Sequence, residues 1–542
     1  MDGLIMDFPL NLQAILRRGE RLFGGKEIVT RLPDRSFHRY TYTDMAARAK
    51  RLGVALGKLG MRRGDRVATL CWNHYRHLEV YLGVPCAGGV VHTLNLRLHA
   101  NDLTYIANHA GDRFLIVDES LLPIWESFKD RAETIEHVIV IGDTVPGDAI
   151  GYEELLATAS ADEYSEPEIG EREAAAMCYT SGTTGMPKAV LYSHRGIVLH
   201  SIVSGMAGAL SLQESDTTLP VVPMFHANAW GFPFTCTFVG AKQVFPGPFL
   251  DPPSLLEAFE QEKVTVTAGV PTIWLGILQV LDAEPGKYDL SSLRGMIVGG
   301  SAAPRSMIEG FQERHGLKVI QAWGMTEMSP LGTVAELTSD LLTAPLEEQY
   351  RFRAKQGIPA ALVEIRARGA DGSAVPWDGQ SMGELEVRGP WIASSYYDSP
   401  ESADRWTDDG WFRTGDIVTI DARGCIEIAD RTKDVIKSGG EWISSVALEN
   451  SLMAHPAVAE SAVIAVPDEK WAERPMAVVV LKEGATATAD ELRDHLGREF
   501  AKWWLPERIE FVAEIPKTAV GKFKKTALRE MFAGDATGAA AP

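Results

Sequence analysis

The chain has 542 residues, of which 45% are hydrophobic, 23% charged and 8% aromatic, a globular balance that excludes a disordered or fibrous protein. With 53 Lys and Arg against 73 Asp and Glu, the formal charge is -20, which repels phosphate backbones and argues against nucleic-acid reading while leaving room for a small anionic ligand held by a local cluster. At roughly 100–200 residues per domain, the length suggests three or four folding units, or one large domain with a smaller one.

The N-terminus carries Asp2 and Asp7 and lacks a basic segment, so it does not read as a signal peptide. Residues 43–59 read as an amphipathic helix with Thr43 as N-cap. Then come a buried strand at 66–71, a helix from His74, a short strand at 90–91, a helix at 101–109 and strands at 113–118 and 137–141. That alternation predicts parallel sheets covered by helices. Residues 217–241 and 264–281 contain no Asp, Glu, Lys or Arg, but Pro220, Pro223, Pro233, Gly269 and Pro271 interrupt them. They read as buried core or pocket wall, since a membrane helix needs about 20 unbroken apolar residues. Strands follow at 295–299 and 318–321.

After residue 380 the pattern changes. Residues 383–389 and 425–428 alternate strictly, as half-exposed antiparallel strands do. Beyond Arg431 a new series begins: a helix at 445–455, strands at 461–466 and 476–482, a helix at 489–500, and a low-complexity tail at 534–542. The five cysteines (Cys71, Cys86, Cys178, Cys236 and Cys425) are scattered without a CxxC pair and read as reduced thiols.

The chemistry concentrates in a few stretches. In Tyr179-Thr-Ser-Gly-Thr-Thr-Gly-Met-Pro-Lys188, two glycines permit a tight turn, the hydroxyls of Thr180, Ser181, Thr183 and Thr184 offer donors, and Lys188 adds charge. Together they suit phosphate oxygens. The stretch is not a Walker A loop, and no G-x-S-x-G nucleophile elbow occurs.

This segment resembles the signature of the adenylate-forming superfamily of acyl-CoA synthetases, peptide-synthetase adenylation domains and beetle luciferase. The resemblance covers the whole chain and is strongest to bacterial medium- and long-chain fatty acyl-CoA synthetases. It implies an α/β fold with a large N-terminal domain (1–430) of two α/β sheet subdomains and a β-barrel-like subdomain. A hinge (431–435) and a small, mobile α+β C-terminal domain (436–542) would follow.

Site roles follow from the same resemblance. Thr180, Ser181, Gly182, Thr183, Thr184 and Lys188 would hold the ATP phosphates. Ala322-Trp-Gly-Met-Thr-Glu327 matches the aromatic-G-x-T-E motif: Trp323 would stack on adenine with Gly324 and Met325 beside it, Thr326 would touch the α-phosphate, and Glu327 with Thr184 would hold Mg²⁺, for which carboxylate oxygen is a suitable ligand. Gly299, Gly300, Ser301 and Ala302 would line the adenine and the acyl carboxylate. Asp416, in Phe412-Arg-Thr-Gly-Asp416, would clamp the ribose hydroxyls with Arg431. Lys433 would be the hinge about which the small domain rotates between half-reactions. Lys522 would neutralise charge at the reacting phosphate, while Lys524 and Lys525 read as a solvated basic tail. Lys437, Gly439, Gly440, Glu441 and Trp442 would line the CoA path. His226, Trp230, Gly299 and Gly324 would wall the acyl pocket.

The implied reaction is an ATP- and CoA-dependent, AMP-forming ligation of a carboxylic acid in the cytoplasm. The resemblance implies a homodimer held by N-terminal segments, with no integral membrane segment and no nucleic acid. A short thioether acid such as 3-methylthiopropionate, an aryl acid, a separate carrier-protein acceptor and a non-catalytic nucleotide sensor are the competing readings.

Overall fold

The computed structural model describes residues 1, 3–180, 186–438, 441–468, 470–517 and 523–532, with the side chain of Glu441 outside that set. The chain divides into two compact units. The first comprises Met1–Ala354, Pro359–Val363 and Arg388–Phe412; the second comprises Lys355–Ile358, Glu364–Val387 and Arg413–Pro542.

The first unit is built on two sheets. One runs in the order Ile150–Gly151, His137–Ile141, Asp112–Asp118, Arg66–Leu70, Val90–Thr93, Ala174–Tyr179, Ala189–Ser193. Its neighbours are parallel except the last pair, an antiparallel hairpin. Asp112–Asp118 is buried at almost every position, because helices cover both faces of a parallel sheet. The other sheet runs Leu331–Val334, Val319–Gly324, Gly295–Val298, Val266–Gly269, Thr217–Pro220, Lys242–Phe245, Glu27–Arg31, Phe37–Thr41. Its centre is parallel, and a core around Trp274, Phe259 and Phe311 lies against it.

Asn73 joins the two sheets. Its amide donates to the carbonyls of Pro220 (3.2 Å) and Val222 (2.9 Å), and its oxygen accepts from the Met224 N–H at 2.7 Å. The uncharged stretch at 217–241 is therefore interior wall, as its prolines indicated. One expectation needs correction. The helix is Tyr42–Lys58, and its cap is Thr41 in a reciprocal box with Asp44; Thr43 lies in its first turn, because Asp44 at the third helical position selects Thr41 as partner. The cysteines are all free and buried. Among the described residues no helix is long and apolar enough to cross a membrane.

The second unit contains a four-stranded sheet of Glu364–Arg368, Gly383–Arg388, Phe412–Ile420 and Ile426–Arg431. A further sheet takes Glu441–Ile443, Ile436–Ser438, Ala472–Leu481 and Val458–Asp468 in that order, with Arg508–Phe511 beside Ala472–Leu481. Every pair in it is antiparallel except that last, which is parallel. Helices Ser445–Ala454 and Ala489–Leu496 close it over Leu448, Leu452, Val463, Val479 and Leu492.

Candidate active site

In the first unit the candidate residues stand where parallel strands end. Thr180 follows Ala174–Tyr179, Pro223 and His226 follow Thr217–Pro220, Gly299 follows Gly295–Val298, and Thr326 follows Val319–Gly324. Carboxyl ends of strands are where open α/β sheets bind ligands.

The strands that flank the phosphate-loop candidate, Ala174–Tyr179 and Ala189–Ser193, pair antiparallel, and two further hydrogen bonds join the residues next to them. The Thr180 N–H donates to the Lys188 carbonyl at 2.9 Å, and the Lys188 N–H donates to Thr180 Oγ1 at 3.1 Å. Ser181, Gly182, Thr183 and Thr184 lie outside the described residues. The Lys188 ammonium stands 5.2 Å from the centre of the Tyr396 ring, and the Tyr396 hydroxyl donates to Glu327 Oε1 at 2.5 Å. One tyrosine thus joins the hairpin lysine by its face to the buried carboxylate by its edge. Burial, and then the Glu327 charge, hold the Tyr396 hydroxyl well above the usual phenol range, so it stays a donor.

Glu327 is 5% exposed and sits in the single-turn helix Thr326–Met328. Its carbonyl accepts from the Ala393 N–H at 2.8 Å, and the Thr326 carbonyl accepts from the Tyr192 hydroxyl at 2.7 Å. Gly324 admits no side chain, because a Cβ there would lie 1.9 Å from the Pro330 oxygen. Trp323 is buried against Gly332, where a Cβ would come within 2.7 Å of the indole. Gly300 takes φ +81 and opens the exposed pair Ser301 and Ala302; the Ala303 N–H then donates to Gln321 Oε1 at 2.9 Å. Met325 links this strand to the turn, its N–H donating to the Pro330 carbonyl at 3.1 Å.

Trp230 and Gly299, both expected in the acyl wall, meet directly: a Cβ on Gly299 would approach the Trp230 ring to 2.9 Å. The indole reaches there because Ala227, Asn228, Ala229 and Trp230 take φ of 43, 53, 49 and 55, with Gly231 at 80. Left-handed backbone at four non-glycine residues stores strain of order 1–3 kcal/mol each, typical of ligand sites. His226, half-buried, opens that turn and accepts the Ala229 N–H on its carbonyl at 3.1 Å. The ring of His200 packs at Gly231, and burial drops its pKa to about 4.

In the second unit, Asp416 and Arg431 are cross-strand partners. Arg431 Nε lies 2.7 Å from Asp416 Oδ1, and Asp416 is fully buried. The Asp416 N–H donates to Thr414 Oγ1 at 3.1 Å. Lys433 is exposed in the following turn, and Lys437 pairs with Trp442 across the hairpin Ile436–Ser438/Glu441–Ile443. Trp442 packs beside Ile417, Ala429 and Val435. Gly439, Gly440 and Lys522 lie outside the described residues, as does the side chain of Glu441.

Lys525 contradicts its reading as a solvated tail residue. Its side chain is 11% exposed and its ammonium is 2.6 Å from Glu449. A basic run looks solvated in the sequence because nothing there sets Glu449, 76 positions earlier in the chain, beside it. Tyr396 and Tyr192 were missed altogether. The only signal for Tyr396 was an aromatic-rich stretch, Trp391-Ile-Ala-Ser-Ser-Tyr-Tyr397, with no period, and Tyr192 had none. Elsewhere, Cys71, His74 and Asp118 gather within 4.8 Å. Both His74 nitrogens are already engaged, Nδ1 accepting from the His77 N–H and Nε2 facing Asp118 at 2.9 Å, so this is a helix cap.

Comparison with known proteins shows the family. The model of the AMP-binding enzyme family matches residues 17–397, and that of the AMP-binding enzyme C-terminal domain matches residues 447–522. The chain is 49% identical over 530 residues to a long-chain-fatty-acid–CoA ligase of Thermus thermophilus, covering 97% of this chain and 96% of that one. It is 43% identical to a 3-methylmercaptopropionyl-CoA ligase of Ruegeria lacuscaerulensis, covering 99% and 100%. Among solved structures, the anthranilate CoA ligase AuaEII in complex with anthranoyl-AMP superposes with a TM-score of 0.86 at 28% identity, covering 98% of this chain and 99% of that one.

Proposed function

The chain belongs to the AMP-binding enzymes and is an AMP-forming acyl-CoA synthetase, and from that premise we propose that it activates a medium- or long-chain fatty acid. The acid's carboxylate oxygen attacks the α-phosphorus of ATP and the bond to pyrophosphate breaks. The thiol sulfur of CoA then attacks the acyl carbon of the mixed anhydride, and AMP departs with the acyl–oxygen electron pair. A carboxylate is a poor acyl donor and the anhydride a good one, so the protein's share is positioning and electrostatics.

The acid follows the long-chain relative, and the observation that carries the adenylating chemistry is the joining of Lys188 and Glu327 through Tyr396. It brings a cation for phosphate oxygens and a hard carboxylate ligand to one place, held by a hydroxyl that remains a donor. Thr180, Ser181, Gly182, Thr183 and Thr184 extend the phosphate cradle, and Thr326 meets the α-phosphate. Trp323 stacks on adenine beside Gly324 and Met325, Gly300 to Ala302 line the base, and Asp416 with Arg431 clamps the ribose. Lys522 neutralises the reacting oxygens, with Lys433 as the hinge that brings it in and withdraws it. Lys437, Gly439, Gly440, Glu441 and Trp442 take the pantetheine arm.

The buried carboxylate of Glu327 fits Mg²⁺, which takes one or two protein oxygens and completes its shell with phosphates and water, and Thr184 would be its second protein ligand. Bound there, the ion would neutralise phosphate charge. His226, Gly299 and Trp230 face the acyl group. The exposed Leu4, Ile5, Met6 and Phe8 support a homodimer joined through the N-terminal segment, in a cytoplasmic protein.

The test is CoA-dependent AMP release across acids from propionate to palmitate, with 3-methylthiopropionate and benzoate included. A peak of kcat/KM at medium or long chain is the expected result. A peak at 3-methylthiopropionate would move the substrate to the short thioether class that the Ruegeria relative's name describes. Pyrophosphate release without thioester would point to a carrier-protein acceptor.

A further inference from the structure

Helix Lys525–Phe532 begins three positions after Lys522. Its first residue is placed against two penalties. A cation in a first turn opposes the helix dipole, and a buried ammonium loses its hydration. Lys525 is nonetheless inside the domain, 2.6 Å from Glu449 Oε1, with the Glu449 side chain only 8% exposed, and it donates to Ser445 Oγ at 2.5 Å. The Ser445 N–H donates in turn to Asp430 Oδ2 at 2.6 Å. Burial opposes the charge on Lys525, but Glu449 and Asp430 outweigh it and hold its pKa above the ordinary lysine value.

One helical turn later, on the same face, Arg529 Nη2 donates to Asp434 Oδ1 at 2.7 Å and to the Lys433 carbonyl at 3.2 Å. Arg529 therefore grips Asp434 directly, while Lys525 reaches Asp430 through Ser445, and these two carboxylates bracket Lys433. Attachment of the helix does not need the two cations, because Leu528 is fully buried with Ile464, Met476, Val478 and Ile515. What they add is a fixed rotation and height of the helix relative to the segment around Lys433. Upstream, Lys517 bridges Phe523, the Lys524 N–H donates to the Pro516 carbonyl at 2.8 Å, and the Lys517 ammonium meets Glu460 at 2.5 Å. The described residues on either side, Lys517 and Phe523, are thus fastened to one another and to the domain.

We infer that Lys525 and Arg529 are positioning residues for Lys522, registering the helix that begins three positions after it against the segment that carries Lys433. This rests on the adenylating role proposed for Lys522. A group misplaced by about 1 Å can lose roughly 100-fold in rate, so the effect should fall on the half-reaction that uses Lys522 and spare the other.

The experiment compares Lys525→Met, Arg529→Met and Lys522→Ala in the full-length enzyme. Adenylation is read as acid-dependent ATP–pyrophosphate exchange, and thioester formation as turnover of supplied acyl-adenylate with CoA. Lys525→Met should lower exchange by about 100-fold and keep thioester formation within about threefold; Arg529→Met, partly exposed at 28%, should show the same selectivity at about a tenth of the size. Adding Glu449→Leu to Lys525→Met removes the stranded carboxylate, so the melting temperature should recover while exchange does not. Equal losses in both half-reactions, no loss in either, or recovery of exchange together with stability would overturn the inference. If Lys525→Met fails to fold, Arg529→Met decides by the same criteria. An inert Lys522→Ala beside active Lys525→Met and Arg529→Met refutes the positioning role alone, whereas exchange retained in Lys522→Ala refutes the role of Lys522 and the inference with it.

Discussion

The two units carry their functional residues differently. In the first, Glu327 is buried and fixed through its carbonyl by Ala393 and through its carboxylate by Tyr396; a left-handed turn aims Trp230 at Gly299. In the second, Lys433, Lys437 and Arg431 are exposed at hairpins and turns, while among the described nucleotide-site candidates Asp416 is deeply set. The difference fits a division of labour. In the proposed reaction a preorganised site would hold the phosphates and the acid, and side chains on surface turns would be exchanged between the two half-reactions. Preorganisation lowers a barrier only where donors are fixed before charge develops, whereas exchange requires groups that leave water at little cost.

That contrast can be broken most severely at Glu327. Glu327→Gln keeps the size and removes the ligand charge, and adenylation should fall by about 100- to 1,000-fold, measured as acid-dependent pyrophosphate exchange; a loss under tenfold would mean that the first unit's site is not organised around this carboxylate. Asp416→Asn comes next. It should raise the KM for ATP by about tenfold with a smaller change in kcat, the cost of one weakened charged hydrogen bond at about 1.5–3 kcal/mol. Tyr396→Phe keeps the ring under Lys188 and deletes the donor to Glu327, and kcat should drop about fivefold.

A fourth prediction sharpens the comparison through stability. Burial lowers the pKa of His77 to about 3 and of His194 and His200 to about 4, and all three lie in the first unit. The unfolded chain protonates them near 6.5, so the stability gained by keeping them neutral is full above that pH and is lost progressively as pH falls toward 4. Hydrogen exchange resolved by peptide should show residues 66–354 losing protection between pH 7 and 5 before residues 441–517 do. Loss in the reverse order would contradict the assignment.

Much of this was readable in the sequence wherever the signal is local. Residues 137–141 are a strand to the residue, because a run of β-branched residues needs no partner to declare itself. Asp416 and Arg431 were each picked out by motif, and the hairpin makes them neighbours. What stayed hidden depends on contacts distant in sequence. Tyr396 matters because it meets Glu327, 69 positions away, and Tyr192 because it meets Thr326, 134 away. The turn at 227–230 was invisible for another reason. Left-handed backbone is ordinarily announced by glycine, and here only Gly231 is one, with the strain held instead by surrounding packing. Lys525 was misread because a basic run looks solvated until Glu449 is placed beside it.

The account's central claim is that acid activation precedes and does not require CoA. Exchange of labelled pyrophosphate into ATP, with a medium- or long-chain acid and no CoA, tests it directly in the wild type and Glu327→Gln. Acid-dependent exchange in the wild type, lost in the variant, is the predicted result. Exchange that appears only when CoA is added would contradict it, whereas exchange that survives intact in the variant would refute the role of Glu327.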